Sequence, residues 1–323
     1  MTPVEGSMKT GKAKIFASSI LLIFLLILPV FVKGNVMFLA ILGMIGGIAA
    51  LGTNIFFGYC GQVNFGAAGF MAIGGYCVAL LERDFHTPYI LGLALGIAAS
   101  GLVALLSSFF LLRLRHFVLG LGTTAFGLAI YSMFAKGFTD YTRGEDGVSL
   151  NPLHLFGVQA GDKFFYYVVL ICIIVCIWIS HAVRNSRVGR GMVAIAENEV
   201  AATSMGVDIN RYLRIALVLN GLLDGLAGGL LVKYLNFCSP EHFSLPYSIL
   251  IFIGVVVGGA GSALGAAVGG IVMFTINEVL TPLALYHTLT YGVILGAILL
   301  FMPDGIVGGI RALAHRWNGV SRV

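Results

Sequence analysis

Ten stretches of mostly apolar residues, separated by short polar runs, divide the 323-residue chain. They run Ile15–Val32, Val36–Phe57, Phe65–Leu81, Tyr89–Leu112, Phe117–Ala135, Phe164–Val183, Leu213–Leu235, Tyr247–Val257, Leu264–Leu285 and Thr288–Met302. A helix crossing a bilayer needs about 20 apolar residues, so the pattern predicts an all-α polytopic membrane protein of about ten transmembrane helices. The eighth stretch is shorter than a full crossing. Polar residues collect between the stretches, at Glu82–Pro88, Arg113–His116, Lys136–Lys163, Arg184–Arg214 and Asn236–Pro246. The division is a tail at 1–14, a membrane domain at 15–303 and a second tail at 304–323.

Composition agrees with that reading. Hydrophobic residues make up 59% of the chain and charged ones only 10%, with a mean hydropathy of +0.98; soluble domains carry roughly 45–50% apolar residues. The net charge of +5 invites a nucleic-acid reading until the basic residues are placed. Lys9, Lys12, Lys14, Arg113, Arg115, five arginines between Arg184 and Arg214, and Arg311, Arg316 and Arg322 are 13 of the 19 Lys and Arg. With both termini inside and ten crossings, all of them fall on the cytoplasmic side, as the positive-inside rule expects. The charge reports topology, and no nucleic-acid partner is expected. Lysines before the first apolar run resemble a signal peptide, but no small-residue cleavage site follows in PVFVKGNV, so the first span is read as retained. The five cysteines have no metal-ligand spacing and read as small apolar fillers. GSMKTGKA, Gly6–Ala13, nearly spells a phosphate-binding loop, yet Ala13 replaces the metal-binding hydroxyl and no strand precedes it. Any use of ATP then belongs to a partner, and no cofactor, metal or catalytic group is expected in this chain.

The Arg184–Arg214 stretch must sit in water, with five arginines and three acids in a chain so poor in charge. Ala194, Ala196, Ala201 and Ala202 favour a helix from about Arg190 to Met205, Gly206 stands where a left-handed cap belongs, and Asp208 suits the N-cap of the following span. The plain reading is a positive loop that fixes orientation. The wording suggests more. Glu199, Ala201, Ala202 and Gly206 in EVAATSMG resemble the EAA, three residues, G motif of ABC-importer permeases, whose helix docks on the ATPase subunit and transmits its motion.

Two glycine-rich stretches interrupt the apolar pattern. FFGYCGQVNFGAAGFMAIGGY carries Gly58, Gly61, Gln62, Asn64 and Gly66, and VVVGGAGSALGAAVGG echoes it with Gly258, Gly261, Ser262 and Gly265. Dense glycine either breaks a membrane helix or packs it closely. Interrupted segments at matching places in two halves are also the sequence pointer to a transporter's path. The first stretch resembles the GxxGQxSxGHAAFxGIGAY signature of LivM-type branched-chain amino-acid permeases, with Asn64 in place of its Ser and Ala67 in place of its His. The second is similar to that family's VLGGxGSxxGPxxGA, with Ala266 for Pro. TRGEDGVS, SPEHF and MPDGIVGG match further family motifs in order. Asp224, midway along the seventh stretch, costs at least ~2.5 kcal/mol to insert there and is a functional candidate, with Asn220 one turn away; local hydrogen bonding against a neighbouring permease stays open beside it. Glu278, near the end of the ninth stretch, reads as structural.

The resemblance covers about Val36–Gly309 and implies a type II ABC-importer-like permease with two glycine-broken segments. It further implies a second, homologous permease as heterodimer partner, two cytoplasmic ATPase subunits and an external or periplasmic substrate-binding protein, in the bacterial inner membrane. The expected substrate path holds Gly61, Gln62, Asn64, Gly261, Ser262 and Asp224; the expected ATPase-coupling residues are Glu199, Ala201, Ala202 and Gly206. The alternative is a stand-alone secondary carrier or channel, with Asp224 and Glu278 as ion-coupling residues. An intramembrane enzyme would need a nucleophile–base pair or a metal cluster, and the seven scattered histidines provide neither.

Overall fold

In lipid the backbone must satisfy its own hydrogen bonds, so long apolar runs fold as helices. The computed structural model describes residues 34–280, apart from 115, 153, 156–157 and 160, together with Pro29. The long helices are α1 (Asn35–Cys60), α2 (Ala67–Phe85), α3 (Tyr89–Leu111), α4 (His116–Ser132) and α5 (Asp162–Asn185). Two short ones follow, α6 (Arg187–Glu197) and α7 (Glu199–Ser204), then α8 (Ile209–Leu235), α9 (Leu245–Gly258) and α10 (Ala263–Leu280). The expected first and tenth spans, both tails, the phosphate-loop lookalike and MPDGIVGG lie outside the described residues.

Seven helices among the described residues are long and apolar enough to cross a membrane: α1, α3, α4 continued by a π-turn to Gly137, α5, α8, α9 with the short helix before it, and α10. Eight expected spans fall in this region. The difference is α2, which coincides with the third expected span but ends in Glu82, Arg83 and Asp84.

Two helices occupy the centre. α1 is buried along nearly its whole length and packs on α5, α8, α9 and α10, while α8 packs on α1, α2 and α3. Helix association in lipid relies on close contact through small residues rather than on hydrophobic expulsion. A Cβ on Gly74 of α2 would lie 2.3 Å from the Gly225 carbonyl oxygen of α8, and one on Gly228 would lie 2.0 Å from that of Met71. Ser100 of α3 joins the same layer by donating to the Gly221 (2.7 Å) and Phe70 (3.0 Å) carbonyls. The outer faces of α3, α4 and α5 keep large apolar side chains exposed, among them Leu102, Phe109, Leu121, Ile171 and Trp178.

One end of the bundle is tied by polar and strand contacts. β1 (Val148–Ser149) pairs antiparallel with β4 (Phe237–Cys238), and β2 (His154–Leu155) with β3 (Val158–Gln159). Beneath them the buried Lys233 ammonium donates to both Glu82 oxygens (2.6 and 2.8 Å) and to the Asn151 carbonyl (2.9 Å).

The opposite end carries the 184–214 loop. The single helix expected over about Arg190–Met205 is two helices, because Asn198 leaves the helical region at φ −162°, ψ 106° and uses its side chain to cap α7, accepting from Ala201 N at 3.0 Å. Asparagine favours such a cap over a helix interior. Ser186 caps α6 in the same manner by accepting from Gly189 N, and Asp208 caps α8 by accepting from Arg211 N. Gly206 between them has φ +84°.

Candidate functional site

α1 stops at Cys60 because Gly61 turns left-handed (φ 71°, ψ 11°) and its N–H closes on the Phe57 carbonyl at 2.8 Å. Residues 61–66 are not helical, and α2 begins at Ala67. Their polar groups, together with the first turn of α2, find partners on four other elements. Phe65 N donates to Thr123 Oγ1 of α4 (3.1 Å), and Ala68 N, just inside α2, donates to Ser248 Oγ of α9 (3.0 Å). Asn64 accepts from Gly66 N with Oδ1 (2.8 Å) and donates from Nδ2 to Asn220 Oδ1 of α8 (2.5 Å). Asn220 in turn donates to Asp224 Oδ2 at 2.8 Å. Asn64, Asn220 and Asp224 are all fully buried, at 0% exposure. Their line of amide, amide and carboxyl is a polar string through an apolar bundle. Gly52 of α1 leaves room for it: a Cβ there would lie 2.9 Å from Asn220 Nδ2 and 3.1 Å from Asp224 Oδ1. Asp224 Oδ1 itself has no hydrogen-bond partner.

Gln62 points the other way. Its buried amide donates from Nε2 to Glu199 Oε1 at 3.0 Å, which joins the segment to the first residue of α7. Gly61 abuts α6, where a Cβ would come within 3.4 Å of Ala196.

The second glycine stretch forms the turn between α9 and α10. Gly259 and Gly261 hold φ values of +105° and +80°, and Ser262 Oγ accepts from Gly265 N at 3.2 Å, capping α10. Gly261 N donates to Asn54 Oδ1 of α1 (2.8 Å), and the Gly261 carbonyl accepts from Arg184 at the end of α5. The two glycine stretches meet here, since a Cβ on Gly58 would lie 2.4 Å from Gly261 N. Tyr59 sits beside this contact, its hydroxyl 2.9 Å from Ser180 Oγ and its ring beneath the Arg184 guanidinium.

The expected path residues therefore fall in two places. Gly61, Gln62, Gly261 and Ser262 gather at the end of the bundle that bears the 184–214 loop, whereas Asn64 and Asp224 lie inside it, joined by Asn220. Of the expected coupling residues, Ala202 is buried, Glu199 is partly so, and Ala201 and Gly206 are exposed. Asn54 belongs to the site and was missed. The signal was present, because a primary amide in the middle of the second apolar stretch carries the same insertion penalty argument as Asp224. Thr123, Ser180 and Ser248 gave no such signal, being small hydroxyls that satisfy themselves on a helix backbone. Glu278 lies elsewhere, in a recess of about 110 Å³ beside Phe38, Leu231, His242, Phe274 and Asn277.

Residues 35–303 match the family described as branched-chain amino acid transport system / permease component. The chain is 28% identical to the high-affinity branched-chain amino acid transport system permease protein LivM of Escherichia coli (strain K12), over 99% of this chain and 80% of that protein. It is 25% identical to the permease protein LivH of Salmonella typhimurium (83% and 92%) and 24% identical to the L-arabinose ABC transporter permease protein AraH of Azospirillum brasilense (79% and 76%). No solved structure matches it. With a family match that spans most of its length and seven helices fit to cross a bilayer, the chain belongs to the permease component family of branched-chain amino acid transport systems.

Proposed function

We propose that this chain is one permease half of an ATP-driven importer for a small polar solute, with branched-chain amino acids the first substrates to test. It spans the bacterial inner membrane about ten times, with both tails and the 184–214 loop in the cytoplasm. A second, homologous permease completes the path, two ATPase subunits bind beneath, and an external binding protein delivers the solute. The chain performs no chemistry of its own. Gly61, Gln62, Asn64, Gly261, Ser262 and Asp224 shape the path, and Glu199, Ala201, Ala202 and Gly206 form the element that docks on an ATPase.

The observation that carries this reading is α7. It is a capped helix of six residues held against the bundle by Ala202 and Glu199, yet it leaves Val200 and the following Met205 at 77% and 85% exposure. Large apolar side chains in a charged loop serve a partner groove better than they serve water. An ordinary orientation loop would gain nothing from them. The test is reconstitution of the chain with its cognate permease, ATPases and binding protein in proteoliposomes, with radiolabelled leucine, arabinose, urea and acetamide offered separately. Uptake of one of these that needs both ATP and the binding protein is expected. Uptake by the chain alone, driven by an ion gradient, would establish the stand-alone carrier instead.

A further inference from the structure

Gln62 stands where three parts of the molecule meet. It follows the left-handed Gly61 at the end of α1, it precedes Asn64 by two residues, and its amide reaches across to the carboxylate that opens α7. We propose that the Gln62–Glu199 hydrogen bond is the positioning contact through which a displacement of α7 reaches the interior of the bundle. The inference rests on the reading of α7 as the docking element and adds the route by which its movement is felt.

The physical case begins with what can move. The segment is bonded to its flanking helices only at its ends, where Gly61 N and Gln62 N donate to the Phe57 and Phe56 carbonyls and the Gly66 carbonyl accepts from Gly69 N and Phe70 N, so residues 63–65 between them can shift without unwinding α1 or α2. Gly61 at φ +71° is free to turn at one end, because no Cβ restricts it. What the segment carries is then decided by its side chains. A pull on Gln62 is passed to Asn64, and Asn64 is bonded to Asn220 and through it to Asp224 at the centre of α8. α8 is one of the two core helices, packed on α1, α2 and α3, so a shift there is shared by the whole bundle. The second glycine stretch is tied to the same end: Arg184, two residues before the cap of α6, donates to the Gly261 carbonyl, and Gly261 rests on Gly58. Both interruptions of the apolar pattern are thus bonded to the 184–214 loop, the first through Glu199 and the second through Arg184. Gln62 at 3% exposure has no other role visible in its surroundings, since its Oε1 meets no hydrogen-bond donor.

The test uses the complete importer in proteoliposomes and reads radiolabelled leucine moved per ATP hydrolysed, with co-purification of the ATPase subunits measured alongside. Gln62→Glu sets carboxylate against carboxylate, and Gln62→Met removes the amide at nearly constant length. Either is expected to lower solute moved per ATP by about tenfold, the factor represented by loss of a hydrogen bond to a charged group, while ATPase subunits stay bound. Combining Gln62→Glu with Glu199→Gln restores an amide–carboxylate pair in reverse order and should recover most of the ratio, which a merely structural role for either residue would not do. An unchanged ratio in Gln62→Met, or no recovery in the paired swap, overturns the proposal. The docking reading is judged separately by Val200→Asp on the exposed face of α7: ATPase subunits that remain bound and coupled to that variant overturn it, whatever Gln62 does.

Discussion

Asn220 holds two buried polar groups that the bilayer interior would otherwise penalise one by one. It accepts from the Asn64 amide and donates to the Asp224 carboxyl, so a single side chain satisfies a residue of the first glycine stretch and a residue of α8. Truncating it leaves both without their partner, and each buried group so orphaned costs about 1–3 kcal/mol. Asn220→Leu is therefore expected to lower the unfolding temperature of the detergent-purified subunit by several degrees. Asp224→Asn, which retains a carbonyl oxygen to accept from Asn220, should stay close to the parent. A thermal-shift series over the two variants decides it; equal losses in both would show that the Asp224 carboxyl is needed for more than the hydrogen bond it accepts from Asn220. The pairing of Asn220 with Asp224 was legible from their four-residue spacing within one apolar run. The arrival of Asn64 was not, because nothing in the spacing of residues 64 and 220 reports that the first glycine stretch folds against α8.

At the scale of elements, the apolar runs located the long helices to within a few residues, and the capping residues located the short ones less evenly. Gly206 and Asp208 sit where their chemistry predicts, at a left-handed turn and at the N-cap of α8. Asn198 was read as part of a helix. It lies among good helix formers, and its preference for a cap decides only once α7 has a surface to pack on. That small break matters because it orients Glu199 toward Gln62. Gly206 offers a clean test of the loop geometry, since no atom lies within 4 Å of where its Cβ would stand. Within the chain itself, any effect of substitution is then backbone strain. Gly206→Leu is expected to cost about 1–2 kcal/mol at that left-handed position and to reduce leucine uptake per ATP, whereas Gly206→Asn, which tolerates the conformation, should transport nearly normally. Equal impairment of the two would mean that the exposed surface at residue 206, rather than the turn, is what the partner requires.

For the whole molecule, the arrangement of charge relative to the crossings makes the strongest claim. A single long helix, α5, separates the segment that pairs β1 with β4 from the loop that carries α6 and α7. One crossing of 24 residues, with mostly apolar sequence from Phe164 to Val183, places those two regions on opposite sides of the membrane in either orientation. The positive-inside rule predicts which orientation holds. The 184–214 loop has five arginines, and Arg113, Arg115 and the lysines and arginines of both tails fall on its side if the chain crosses ten times. The acidic Glu145 and Asp146 fall on the other. Asn151 and Asn198 are both exposed and flank α5, which suits them to report the outcome. In a variant whose five cysteines have been replaced, Asn151→Cys should react with a membrane-impermeant thiol reagent in intact cells. Asn198→Cys should react only after permeabilisation. The reverse pattern would turn the molecule over, placing α7 and its exposed Val200 and Met205 where no ATPase could reach them, and would sink the importer reading together with the Gln62 route that depends on it.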